Sequence, residues 1–153
     1  MIHPAFESLQ AKRREIYRRV AAMPFEQQVH RPLADAWSPL EVLEHLNLHD
    51  HWFAGDPTVR KGTGSRSPII GLGHWAMQSG ISIPTAPFLE PKGGFTLPQL
   101  AEISDRQHNE LATLIANAHP NETVVQVFPF GSLTADQLAD GLDSHYEYHL
   151  KRI

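Results

Sequence analysis

The sequence predicts an all-α protein, a four-helix bundle with a long crossover between the second and third helices. Three observations predict it. Four stretches repeat apolar residues at the three- and four-residue spacing of one helix face. Three of them open on a capping box, in which a hydroxyl and a carboxylate or amide three residues on satisfy each other's backbone N–H groups: Ser38 with Glu41, Thr96 with Gln99, Thr134 with Gln137. Between the second and third stretches, residues 54–98 hold eight of the ten glycines and six of the twelve prolines, a loop composition.

The chain's length of 153 residues, with 41% hydrophobic and 20% charged residues, is that of one soluble globular domain spanning 1–153. Cysteine is absent, which excludes disulfides, thiolate metal sites and a cysteine nucleophile together. Any metal must be held by imidazole or carboxylate. The N-terminal residues show no apolar signal-like run, and no stretch approaches 18 apolar residues, so a cytoplasmic protein without membrane contact is expected. A net charge of −4 argues against nucleic acid as a partner.

The first helix is expected over residues 4–23, with Phe6, Leu9, Ile16, Val20 and Met23 as its stripe and Pro24 as its stop. Its basic face (Lys12, Arg13, Arg14, Arg18, Arg19) reads as solvated, since Glu15 lies among the cations. Residues 25–36 form a connector with one helical turn at 25–28. The second helix has the sharpest start: Ser38 at the N-cap, Pro39 at N1, Glu41 at N3, and Trp37 placed to staple onto Val42. Its stripe is Val42, Leu43, Leu46, Trp52 and Phe53, with His45 and His49 on or beside it and His51 turned elsewhere. The crossover contains an apolar piece, residues 69–77, that would suit a pocket cover or an ordinary helix connection.

The third helix is expected over residues 97–118, on Leu100, Ile103, Leu111, Leu114, Ile115 and Ala118. His108 and His119 are read as surface or helix-end residues. Residues 122–133 alternate briefly and turn at Pro129-Phe130-Gly131, an extended arm with no partner strand in view. The fourth helix runs from Thr134 to the chain's end, with Leu138, Leu142, His145, His149 and Ile153 recurring on one face. Two histidines thus stand where the pattern asks for leucine.

Four residues of helix rise about 6 Å, so the imidazoles of His145 and His149 can reach one point. With ten histidines in the chain, chance alone yields about 0.6 such spacings, so the pair gains weight only from its register with the leucines. His45, mid-helix on a facing stripe, is the best third ligand. Three imidazoles leave coordination positions free, the catalytic rather than the structural arrangement. A metal held so acts as a Lewis acid and lowers the pKa of bound water. Such ligation suits zinc, nickel, copper or ferrous iron, and affinity should fall as pH drops through about 6.5. Glu41 reads as a cap rather than as a metal-supporting carboxylate. His49 is open to three roles, a fourth ligand, a neighbour in the cavity or a core residue; it is expected in the cavity on the open coordination side, where it can exchange a proton with bound water or substrate as a catalytic group.

Trp37-Ser38-Pro39-Leu40-Glu41-Val42-Leu43-Glu44-His45-Leu46 resembles the second-helix signature of the DinB/YfiT-like superfamily. Phe128-Pro129-Phe130-Gly131-Ser132-Leu133-Thr134, followed by His145-Tyr146-Glu147-Tyr148-His149-Leu150-Lys151-Arg152-Ile153, resembles its fourth-helix signature. The resemblance implies an up-down-down-up bundle, often a homodimer, with a divalent metal on His45, His145 and His149. Zinc or nickel is the ion expected, with iron or manganese as alternatives. It also implies a small-molecule substrate, with a low-molecular-weight thiol among the candidates, because some relatives are thiol-dependent S-transferases or isomerases and others metal-dependent hydrolases. His49 and the Gly/Pro-rich crossover fall where relatives vary. Three classes stay open: a metalloenzyme, a metal-binding protein without chemistry, and a metal-free interaction bundle.

Overall fold

Residues 3–54, 85–127 and 131–153 are described by the structure, a computed structural model. They form α1 (Pro4–Ala21), a single turn α2 (Phe25–Gln28), α3 (Pro39–Phe53), a 3-10 turn at Pro87–Leu89, α4 (Leu97–Ala116), β1 (Thr123–Val127), β2 (Gly131–Thr134) and α5 (Ala135–Leu150). The apolar piece at 69–77 lies outside the described residues. No described helix is long and apolar enough to cross a membrane.

All three predicted capping boxes form, each with both reciprocal hydrogen bonds. At α3 the cap carries a second duty. Glu41 accepts from the Ser38 backbone N–H at 3.0 Å and also pairs through both oxygens with Arg31, so it ties the connector to the helix start. The Arg31 guanidinium, with the Ser38 backbone donor, holds the Glu41 carboxyl below the usual range.

The core is built from the stripes read in the sequence. Leu9, Ile16 and Val20 of α1 pack with Leu43, Leu46 and Phe53 of α3, Leu100, Leu111 and Ile115 of α4, and Leu138 and Leu142 of α5. The cations of α1 are largely neutralised by neighbours: Lys12 pairs with Asp143 of α5, Arg13 with Asp105 of α4, and Arg18 and Arg19 with Glu15. Gly141 of α5 marks a close approach to α3. A Cβ placed there would meet the Phe53 ring at 2.7 Å.

The protein is mostly helical, but the all-α expectation fails. β1 and β2 form an antiparallel pair, with Val125 opposite Leu133, Gln126 opposite Ser132 and Val127 opposite Gly131. The missing partner strand is the four residues Gly131–Thr134. They were hidden because they are few and run straight into a cap: Thr134 closes β2 and is the N-cap of α5. Gly131 opens β2 at φ 79°, a left-handed backbone that favours glycine. Val124, Val125, Val127 and Leu133 are buried, so the hairpin is anchored in the core and fixes where α5 begins.

Candidate metal centre

α3 and α5 bring His45, His145 and His149 together. The Nε2 atoms of His45 and His145 are 3.1 Å apart, and those of His149 and His145 are 3.2 Å apart. The three side chains offer ligand atoms that all lie within 4.8 Å of one another, close enough to hold a metal ion. Tetrahedral coordination at about 2.0–2.1 Å per nitrogen sets neighbouring nitrogens about 3.3 Å apart. The two spacings to His145 are close to that value, and the His45–His149 pair, within 4.8 Å, would have to close for both to bind one ion.

Proton bookkeeping separates this cluster from an ordinary hydrogen-bonded group. The Nδ1–H of His45 donates to the Leu89 carbonyl at 2.8 Å, which leaves its Nε2 as a bare lone pair. An Nε2–H on His145 could then point along its line to only one of the two neighbouring nitrogens. No arrangement of neutral tautomers gives both short contacts a well-aligned proton, whereas a cation bound beside His145 would take up the lone pairs that the protons leave unpaired. Burial keeps those lone pairs free. Desolvation, then the neighbouring histidines, hold His145 well below the usual imidazole value. Burial likewise lowers His45, and it brings His149, with help from His45 and Arg152, down to about 3.

The Leu89 carbonyl belongs to the chain as it returns to α4. That segment is held on α3 by Glu44, a buried carboxylate that accepts from the backbone N–H groups of Lys92 at 2.8 Å and Gly93 at 2.9 Å. Glu44 therefore supports the acceptor that fixes the His45 tautomer. The Trp37 ring lies 4.6 Å from that of His45 and 6.4 Å from that of His149, so the residue before the N-cap walls the cluster.

His49 sits against the cluster. Its ring centroid is 3.6 Å from that of His145 and 6.1 Å from that of His45, and its Nδ1 is buried without a hydrogen-bond partner among the described residues. Burial, then the proximity of His45 and His149, keeps it well below the ordinary value, so it is neutral at pH 7. His51 and His119 are exposed, as expected from the sequence.

His108 is the correction. It is 2% exposed, in the centre of the protein rather than at its surface. Its Nε2–H donates to Asp50 Oδ2 at 2.7 Å, and its Nδ1 accepts from Gln10 Nε2 at 2.7 Å. The Tyr146 hydroxyl donates to the same Asp50 oxygen at 2.6 Å. Burial and the Asp50 carboxylate push the Tyr146 phenol far up, so it remains a donor. The signal was present in the sequence: Leu100, Ser104, His108, Leu111 and Ile115 are spaced as one stripe, and so are Leu43, Leu46, Asp50 and Phe53. Nothing comparable announced Glu44 or the Leu89 carbonyl, whose roles depend on a segment far away in the chain.

No family model matches the chain, and no curated protein or solved structure does either. The DinB/YfiT-like resemblance rests on the quoted residues alone.

Proposed function

We propose that this chain is a DinB/YfiT-like four-helix-bundle protein that binds a divalent metal through the Nε2 atoms of His45, His145 and His149, and that it is a metal-dependent enzyme of the hydrolase or thiol S-transferase type. The observation that carries this reading is the convergence of two buried imidazoles and a half-buried third, one with its tautomer fixed toward the common point by Leu89. A bound ion would supply Lewis acidity to a substrate on its remaining coordination side. The chain's own residues would divide the other work. Leu89 orients His45, Trp37 shields the cluster from water, and the unpartnered Nδ1 of His49 is the atom available to take a proton from substrate. The test is turnover of ester, amide and thiol-conjugate substrates by the purified protein, lost on chelation and restored by zinc or nickel.

The closeness of His49 to His145 supports a second reading, in which His49 turns to become a fourth ligand. Four imidazoles would close a tetrahedral site and make the ion structural. His49→Ala discriminates. Under the enzymatic reading it keeps full metal stoichiometry and lowers turnover by about 10²-fold or more; under the structural reading it lowers metal affinity.

A further inference from the structure

The buried cluster around Asp50 has no place in the chemistry just described, yet it is built on the same two helices. Asp50 lies five residues beyond His45 on α3, and Tyr146 follows His145 directly on α5. Successive helix positions differ by about 100°, so His145 and Tyr146 leave α5 in different directions. The Tyr146–Asp50 hydrogen bond at 2.6 Å therefore spans the α3–α5 interface beside the His45–His145 approach at 3.1 Å, on a separate line. One further helix reaches the same oxygen, and a second is linked to it through that contact. His108 of α4 donates to Asp50 Oδ2, and Gln10 of α1 sets the tautomer of His108 by donating to its Nδ1. The Gln10 amide is itself oriented, since its Oε1 accepts from Arg13 Nε at 3.0 Å. α4 and α5 are thus bonded directly to one carboxylate oxygen of α3, and α1 is tied to it through His108.

Packing supplies the other half of the restraint. Gly141 lies one turn before His145, and Phe53 one turn beyond His49; their contact sets how closely the two backbones approach. The cluster is bracketed between a hydrogen bond that resists separation of α3 from α5 and a packed ring that resists further approach.

Stability alone does not account for such a device. A buried carboxylate with its donors is commonly no more stabilising than well-packed apolar residues of the same volume; what such a network fixes is the relative placement of the elements that carry it. A metal site on two helices needs that placement, because ligand distances tolerate only about 0.2 Å.

We propose that Asp50, His108 and Tyr146 are positioning residues for the three-histidine site, holding α3 and α5 at the separation that sets His45 and His145 at ligand spacing before any ion arrives. This rests on the metal-binding reading above and adds that the site's affinity is set in part by side chains that touch no ion.

Cobalt(II) titration of metal-stripped protein reads affinity and ligand geometry together, through the binding constant and the d–d absorption bands. Each variant is titrated at a temperature where circular dichroism shows it folded. Tyr146→Phe is expected to bind cobalt(II) about 10- to 100-fold more weakly than wild type, with altered bands. His108→Leu should lose affinity to a similar extent. His108→Gln, which keeps a donor toward Asp50 and an acceptor toward Gln10, should recover it. A folded Tyr146→Phe with wild-type affinity and bands would show the cluster to be structural only and overturn the inference. If Tyr146→Phe does not fold, the two His108 variants decide on the same readouts: rescue by Gln supports positioning, and equal, wild-type-like binding by both overturns it. A wild-type protein that gives no cobalt(II) spectrum would refute the three-histidine reading itself, a failure distinct from any of these.

Discussion

Two buried histidine clusters lie side by side between α3 and α5, and they solve opposite problems. Around Asp50, donors and acceptors alternate: Gln10 to His108, His108 to Asp50, Tyr146 to Asp50. Around His145, three nitrogens face one another with too few well-placed protons among them. In the first cluster each of these protons has an acceptor, and Asp50 Oδ1 is left without a partner among the described residues; the second would be completed by a cation. Burial of histidine therefore says little by itself, and the pattern of its partners says what it is for.

The largest expected effect separates the clusters outright. His145→Ala should remove most bound metal while the helical circular-dichroism signal survives, and His45→Ala and His149→Ala should behave alike. His108→Ala should keep one metal per chain at saturating ion but lose about 2–3 kcal/mol of stability in denaturant unfolding, because a buried carboxylate loses a donor. If His108→Ala and His145→Ala shed metal equally at saturation, the contrast between the clusters fails.

Acid should act on the imidazole cluster in a defined window. An unfolded histidine titrates near 6.5, whereas burial holds His149 near 3 in the folded chain. Between those values the unfolded state binds protons that the folded state refuses. Stability of the metal-free protein is therefore fully present above about pH 6.5 and falls as pH is lowered through the window. Burial also moves proton competition for the metal below the 6.5 expected from sequence. Metal should be retained at pH 6.5 and lost on approach to pH 3; retention unchanged at pH 3 would contradict histidine ligation.

Smaller effects test the frame around the clusters. Gly141→Ala drives a methyl against the Phe53 ring and should destabilise by about 1–3 kcal/mol, less about 1 kcal/mol regained from helix propensity. An unchanged denaturant midpoint would mean that α3 and α5 are not held at contact there. Glu41→Ala removes a cap and should cost about 0.5–2 kcal/mol while leaving metal stoichiometry intact. Loss of metal in that variant would give Glu41 the supporting role that its pairing with Arg31 argues against.

The contrast between the clusters also explains what the sequence disclosed. His45, His145 and His149 were legible because each stands on a helical stripe where an apolar residue is expected, and because capping boxes fixed the helix registers. His108 and Asp50 stand on stripes of the same kind, but a lone polar residue on a stripe does not reveal its partners: Tyr146 lies 96 residues from Asp50. The hairpin escaped because β2 has only four residues and shares Thr134 with the cap of α5. Glu44 holds backbone N–H groups 48 and 49 residues away, and Leu89 acts through its carbonyl, which leaves no mark of its use in side-chain identity.

The central claim is that the three Nε2 atoms share one ion. Anomalous scattering from crystals of untagged protein grown with zinc tests it most directly. One strong peak per chain is expected, about 2.0–2.1 Å from Nε2 of His45, His145 and His149. No peak at that point in zinc-grown crystals, or a peak bound through Nδ1 of these residues, would contradict it.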